Sequence, residues 1–188
     1  MRRFHEYRAP GAEGSRRPTR LVVADDEASV RKIVGRIARR FYPQLVVVEA
    51  EDGDAVLDLI DADVDDIACI VADVIMPRRD GFSMCWSLRH AVPYLPCRDL
   101  PVVLMSGVLV DDLALERAWN AGTAFLLAKP FSEAELVRAL AAATRLPPAA
   151  VPRDPGDVLD APARLVSRSA PRDGDESRSS MAPGRWDR

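Results

Sequence analysis

The sequence is poor in cysteine, histidine and aromatic residues. Among its 188 residues are 3 cysteines and 2 histidines, and the aromatic share is 6%. The cysteines, Cys69, Cys85 and Cys97, are odd in number and lack the spacing of a metal site. We therefore interpret them as small apolar residues in a reducing compartment. The histidines, His5 and His90, have no ligand-like neighbours in sequence and are predicted to lie on the surface.

Long apolar runs are also missing. No stretch approaches the roughly 18 unbroken apolar residues of a membrane span. The basic N-terminus is not followed by the apolar segment of a secretory signal. Residues 21–146 carry 13 basic and 20 acidic residues, a net charge of −7, which makes a poor nucleic-acid surface. We expect a cytoplasmic protein with no membrane association and no direct DNA binding.

The two ends of the chain differ in composition from its middle. Residues 147–188 contain seven prolines, many Ser, Arg and Asp, and no apolar periodicity, and residues 1–19 are similarly polar. Such segments bury too little apolar surface to offset the entropy lost on ordering. The sequence therefore predicts a disordered basic extension over 1–19, one folded domain over 20–146 and a disordered tail over 147–188.

Within 20–146, apolar strands alternate with amphipathic helices. Strands are predicted over 20–24, 45–50, 67–73, 101–106 and 123–128, and helices over 30–41, 52–60, 81–91, 111–122 and 132–144. The first helix has apolar residues at helical spacing: Val30, Ile33, Val34, Ile37, Ala38 and Phe41. The last helix begins with a capping box, Ser132 and Glu135. Near-continuous apolar strands indicate a doubly wound parallel sheet covered by helices on both faces.

Polar residues follow four of these strands. Asp25 and Asp26 follow the first, Asp73 ends the third, Ser106 ends the fourth and Lys129 follows the fifth. Taken singly, each could cap a helix or lie on the surface. Together they converge on the carboxyl edge of the sheet, where α/β proteins bind ligands. The chain has 24 Arg and two Lys, so a lysine at this edge suggests that a compact ammonium is needed there.

The grouping predicts phosphoryl chemistry. Asp25, Asp26 and Asp73 would repel one another in a crevice unless a divalent cation were bound. Mg²⁺ suits an open site of carboxylates, water and phosphate oxygens. Asp73 could then attack a phosphoryl group and form an acyl phosphate. Lys129 and Ser106 would hold phosphoryl oxygens.

Four motifs resemble the receiver domain of two-component response regulators. They are "VADDE" (23–27), "DVIMPRRDG" (73–81), "PVVLMSG" (101–107) and "AGTAFLLAKPF" (121–131). The resemblance covers about residues 20–146. It implies a flavodoxin-like (βα)5 fold with strand order 2-1-3-4-5. It also implies a signalling domain that catalyses only its own phosphorylation and dephosphorylation.

The resemblance assigns a role to each polar residue around the acceptor. Asp73 would accept a phosphoryl group from a sensor histidine kinase or a histidine phosphotransfer protein. Asp26, Asp73 and the backbone carbonyl of Ile75 would bind Mg²⁺, with Asp25 acting largely through water.

The switch region both fits and departs from the family. Ser106 and Lys129 take the positions of the switch hydroxyl and the phosphate-binding lysine, and the Lys129-Pro130 bond is commonly cis in the family. Where the family usually has Tyr or Phe, three residues before the lysine, this chain has Leu126. Phe125 precedes it and should point to the opposite face of the sheet.

Three other classes of function fit the sequence less well. A phosphorylation-independent docking module agrees with Leu126 but not with a complete set of acceptor residues. A dehalogenase-type phosphatase needs a second Asp where Ile75 stands. A DNA-binding regulator needs an output domain, for which residues 147–188 are too short. The sequence favours a single-domain response regulator that contacts a downstream protein through its fourth helix, fifth strand and fifth helix. Ile75 and Val108 are predicted to slow loss of the phosphate.

Overall fold

Five parallel strands and one short antiparallel strand form the sheet of this computed structural model, which describes residues 19–107, 116, 120–123, 125–150 and 166–167. The parallel strands are β1 (Arg20–Ala24), β2 (Val46–Ala50), β3 (Ile67–Asp73), β4 (Val102–Ser106) and β5 (Phe125–Ala128). Their order is β2-β1-β3-β4-β5, which confirms the predicted doubly wound topology. A two-residue strand, β6 (Val166–Ser167), pairs antiparallel with β5.

Four helices are described. They are α1 (Ala28–Phe41), α2 (Gly53–Asp63), α3 (Gly81–His90) and the C-terminal helix (Glu133–Thr144). Short 3-10 helices at Val64–Asp66 and Val92–Cys97 precede β3 and β4. The predicted capping box is confirmed: Ser132 caps the C-terminal helix, and the Glu135 side chain accepts from the Ser132 backbone N–H. Most of the predicted fourth helix lies outside the described residues.

The sheet separates two apolar cores. Side chains from alternate positions of the strands pack on one face against α1 and the C-terminal helix. The remaining positions pack on the other face against α2 and α3. All seven residues of β3 are buried, as expected for a central strand covered on both sides.

One residue of the predicted buried face of α1 is exposed. Ile33 has 46% of its surface accessible, whereas Val34, Ile37, Ala38 and Phe41 are buried. Ile33 lies at the margin of the apolar stripe, so when the helix rests on the sheet through the other residues this margin turns towards solvent. The periodicity correctly predicted the helix but included one residue too many in its buried face.

The direction of strand addition reverses at β1. β1 pairs with β2 on one side and with β3 on the other, so the chain adds strands first on one side and then on the opposite side. The carboxyl ends of β1 and β3 therefore flank the crevice expected in such sheets. Among the described residues, no helix is both long and apolar enough to cross a membrane.

The predicted terminal disorder falls largely on residues 1–18, 151–165 and 168–188, which lie outside the described ranges. The proposed domain limits therefore stay a prediction. Two backbone hydrogen bonds lie near the predicted ends of the folded domain. The Thr19 backbone N–H donates to the Asp66 carbonyl oxygen at 3.0 Å, and that of Ala149 donates to the Phe41 carbonyl oxygen at 2.7 Å.

Candidate functional site

Three carboxylates meet at the carboxyl ends of β1 and β3. Asp25 and Asp26 directly follow β1, and Asp73 is the last residue of β3. One oxygen from each carboxylate lies within 4.8 Å of the other two. Asp25 and Asp73 are buried, and Asp26 is exposed. The structure thus brings together the three acids that the sequence predicted as a cluster.

Helix capping does not account for these acids. The N-cap residue of α1 is Glu27, whose side chain makes no capping hydrogen bond. Asp25 Oδ1 does accept from the Glu27 backbone N–H at 2.9 Å, which fixes the turn after β1. Asp25 Oδ2 points instead to the lysine that follows β5. The Asp25 carboxylate therefore closes the turn with one oxygen and contacts Lys129 with the other, and it does not cap α1.

Lys129 lies between two of the carboxylates. Its Nζ is 2.7 Å from Asp25 Oδ2 and 2.9 Å from Asp73 Oδ1. The Lys129 backbone N–H donates to the Ser106 carbonyl oxygen at 2.7 Å, which extends the β4–β5 pairing into the site. The Lys129-Pro130 peptide bond is cis, as the resemblance implied. A single ammonium group thus links the ends of β1, β3 and β5.

Ser106 and Ile75 occupy the margins of the site. Ser106 ends β4 opposite Ala128 and is buried. Ile75 lies two residues beyond Asp73 and is 61% exposed. The Val74 backbone N–H donates to the Met105 carbonyl oxygen at 2.8 Å. This hydrogen bond holds the start of the loop after Asp73 against β4. The predicted roles of the Ile75 carbonyl and the Ser106 hydroxyl stay predictions.

Burial and pairing act in opposite directions on the two central charges. Burial raises the pKa of Asp73 above its ordinary value, and the hydrogen bond from Lys129 lowers it only in part. For Lys129, burial lowers the pKa, but the hydrogen bonds to Asp25 and Asp73 outweigh burial and the net shift is upward. Lys129 therefore stays an ammonium at neutral pH.

The sequence prediction missed Arg31, which supports the acidic turn. Its Nη1 donates to the Asp25 carbonyl oxygen at 2.7 Å and to that of Asp26 at 3.4 Å. Its Nε pairs with Glu49 at 3.1 Å. A basic residue in the first turn of α1 was visible in the sequence, but its contact with backbone five and six residues earlier depends on the geometry of the turn.

Leu126 and Phe125 of β5 face opposite sides of the sheet, as expected because successive side chains of a strand alternate between its faces. Leu126 is buried in the core beneath α2 and α3. Phe125 is buried in the opposite core, beneath α1 and the C-terminal helix. The aromatic ring therefore lies on the other face of the sheet from the position where the family usually has Tyr or Phe.

The donor set fits a hard divalent cation. Three carboxylates face one ammonium, so the cluster keeps an excess of negative charge, and all the candidate ligand atoms are oxygens. In an octahedral Mg²⁺ shell, oxygens at about 2.1 Å from the metal lie roughly 3 to 4 Å apart. The observed limit of 4.8 Å would require only a small contraction, and water could complete the shell on the exposed Asp26 side.

Residues 21–141 match the family model described as "Response regulator receiver domain". The chain belongs to this family. It is 32% identical over 123 residues to the transcriptional regulatory protein PdtaR of Mycobacterium tuberculosis, covering 65% of this chain and 55% of that protein. It is 35% identical over 130 residues to the response regulator MprA of Mycolicibacterium vanbaalenii, covering 68% of this chain and 51% of that protein.

The similarity to solved structures covers about the same part of the chain as the family match. The receiver domain of the Francisella response regulator 1452 is 26% identical, with a TM-score of 0.56, and the match covers 68% of this chain and 97% of that one. In contrast, this chain spans about half the length of the curated relatives described above. The similarity therefore concerns the receiver domain and not the rest of those regulators.

Proposed function

We propose that this receiver domain relays signals by accepting a phosphoryl group on Asp73, with a histidine kinase or histidine phosphotransfer protein as the donor. The observation that supports this most strongly is the placement of the Lys129 ammonium against both Asp25 and Asp73, in a cleft that retains excess negative charge. A purely structural ion pair would need one acid, whereas this site holds three.

The proposed reaction begins from Asp73 and Lys129, which are already in contact. An Asp73 carboxylate oxygen attacks phosphorus, the P–O bond forms as the P–N bond of the phosphohistidine breaks, and the imidazole leaves with the bonding electron pair and takes up a proton. Lys129 then shifts its contact from the Asp73 oxygen to a phosphoryl oxygen. Bound Mg²⁺, held by Asp26, Asp73 and the Ile75 carbonyl, would neutralise charge on the phosphoryl oxygens. Ser106 would donate to another of these oxygens.

The proposed output is a shift between two arrangements of the β4–β5 side of the domain. Lys129 contacts the Asp73 carboxylate through its ammonium group and the Ser106 carbonyl oxygen through its backbone N–H. A change in the contacts of Lys129 would therefore reach the ends of both β4 and β5. Phosphorylation would favour one of two pre-existing conformations. The proposed surface for a downstream protein comprises the fourth predicted helix, β5 and the C-terminal helix.

Acetyl phosphate provides a donor that needs no partner protein. Wild-type protein incubated with acetyl phosphate and Mg²⁺ should gain the mass of one phosphoryl group, and hydroxylamine should remove it. Asp73→Asn should gain none. Asp80→Asn is the matched control, because it makes the same change seven residues along and Asn still caps α3. An equal mass gain in Asp73→Asn would show that another residue is the acceptor.

A phosphorylation-independent docking module is the second candidate, supported by the buried Leu126 at the position of the switch aromatic. On that hypothesis the protein would bind its partner equally well before and after treatment with acetyl phosphate. No mass gain in wild-type protein, with Mg²⁺ present, would favour this second candidate.

A further inference from the structure

Two consecutive arginines join the loop after Asp73 to the turn before α2. Arg78 pairs with the Asp52 carboxylate. The neighbouring Arg79 pairs through Nε with Asp54 Oδ1 at 2.6 Å, and its carbonyl oxygen accepts from the Gly53 backbone N–H at 3.0 Å. Arg78 and Arg79 of the motif "PRRDG" thus contact three consecutive residues of "EDGD" (51–54).

Arg78 has an unusual backbone conformation for a long side chain. Its φ is 58°, in the left-handed region, where an L-residue other than glycine is disfavoured by roughly 1–2 kcal/mol. Glycine would adopt this conformation at little steric cost. The presence of arginine at such a position indicates that its side chain has a role that compensates for the backbone.

The partner of Arg78 explains why a cation is needed. The Asp52 side chain is 1% exposed, and its Oδ1 already accepts from the Ala55 backbone N–H at 2.8 Å as the N-cap of α2. A buried carboxylate without a cationic partner is strongly disfavoured. Arg78, which is largely exposed, reaches inward to supply that charge.

The loop that carries Arg78 also carries the edge of the cation site. The Gly81 backbone N–H donates to the Val74 carbonyl oxygen at 2.9 Å and closes the segment between them into a ring. Ile75 and Arg78 both lie inside this closed segment, three residues apart. Fixing Arg78 against the turn before α2 therefore limits the movement of the segment that carries the Ile75 carbonyl.

We propose that Arg78 is a positioning residue: its ion pair with Asp52 holds the loop so that the Ile75 carbonyl faces the cation bound by Asp26 and Asp73. This inference rests on the proposed function. The expected change in Mg²⁺ affinity on removing Arg78 is opposite to the change that charge alone would cause. Removing a positive charge near an acidic site would by itself tighten cation binding, whereas loss of the loop geometry weakens it.

The test is the dissociation constant of Mg²⁺, measured by calorimetric titration without any phosphodonor. Arg78→Gly leaves the Asp52 carboxylate without its cation, which destabilises the fold, but glycine relieves the left-handed backbone and offsets part of that loss. The variant should bind Mg²⁺ about tenfold more weakly, the lower end of the range for residues that orient metal ligands. Arg78→Lys keeps the charge and should restore binding to within about threefold of wild type.

Arg98→Gly is the matched control. Arg98 is exposed and, in the described part of the chain, its side chain makes no hydrogen bond or ion pair. This variant removes the same charge and should bind Mg²⁺ as wild type does. Urea unfolding in the absence of Mg²⁺ separates positioning from stability, because a merely structural role would lower the free energy of unfolding and leave the Mg²⁺ affinity of the folded protein unchanged.

Three results would overturn the inference. Arg78→Gly could bind Mg²⁺ as tightly as wild type or more tightly. Arg78→Lys could bind no better than Arg78→Gly, which would mean that the charge is not what matters. Wild-type protein could bind no Mg²⁺ at all, which would remove the metal from the proposed function and the inference with it. The third result is distinguishable from the others because it appears in wild type before any variant is compared.

Discussion

Replacing Lys129 with methionine tests the electrostatic centre of the site. Methionine keeps most of the length and apolar stem of lysine but removes the ammonium, so Asp25 and Asp73 lose their shared partner. Their side chains are 1% and 11% exposed, and that of Lys129 is 21% exposed. Removing one partner of a buried ion pair costs roughly 3–5 kcal/mol. Because Lys129 is partly hydrated, we expect the lower end, about 3 kcal/mol.

Mg²⁺ should restore much of this loss. A ligand that binds only the folded state stabilises it by about 2.7 kcal/mol at one hundred times its dissociation constant. The variant lacks the ammonium that repels the cation, so it should bind Mg²⁺ more tightly than wild type. At equal Mg²⁺ concentration, its gain in unfolding free energy should exceed that of wild type by at least about 1 kcal/mol, or roughly fivefold in affinity.

Urea unfolding followed by far-ultraviolet circular dichroism, with and without Mg²⁺ at pH 7, measures both effects. Lys32→Met is the matched control, because it changes the only other lysine of the chain, which is exposed on α1. This control should change the free energy of unfolding by less than about 0.5 kcal/mol. A loss below about 1 kcal/mol in Lys129→Met, or an equal Mg²⁺ gain in wild type and variant, would refute the electrostatic account.

Two buried cysteines, one glycine and one apolar residue beside the acceptor provide further tests. Burial raises the pKa of Cys85 and Cys97 to about 11, so at pH 8 only roughly one thiol in a thousand is ionised. Native protein should therefore react with a thiol reagent far more slowly than urea-unfolded protein, and equal rates would contradict the buried placement. Gly81→Ala should destabilise the fold by several kcal/mol, since its Cβ would lie 2.2 Å from the Asp73 carbonyl oxygen; a melting temperature equal to wild type would refute this. Ile75→Asn should lose the phosphoryl group several times faster than wild type, because Asn can orient the attacking water; an unchanged or slower decay would refute a shielding role.

The sheet could be predicted from the sequence because its strands are short and apolar and are clearly bounded by polar residues. β1 and β3 have the predicted bounds, and the other strands differ from prediction only at their starts. Parallel strands bring their carboxyl ends to one edge. This rule alone was enough to place Asp25, Asp26 and Asp73 together, and to place Lys129 near them.

Long-range side-chain pairing could not be predicted in the same way. The contact of Arg31 with the Asp25 carbonyl oxygen depends on the path of the turn before α1. The pair between Arg78 and Asp52 depends on how two turns from different strands approach each other. Exposure of Ile33 depends on how α1 rests on the sheet. None of these has a periodic or local signal, because each is fixed by tertiary packing.

Chemical mapping of the acceptor shows directly whether Asp73 carries the phosphoryl group. Protein treated with acetyl phosphate and Mg²⁺ is reduced with borohydride, which converts an aspartyl phosphate to homoserine, and is then digested and sequenced by mass spectrometry. If Asp73 is the acceptor, homoserine appears at position 73 and aspartate stays unmodified at positions 25 and 26. Homoserine at position 25 or 26, or unmodified aspartate at all three positions, would contradict this assignment.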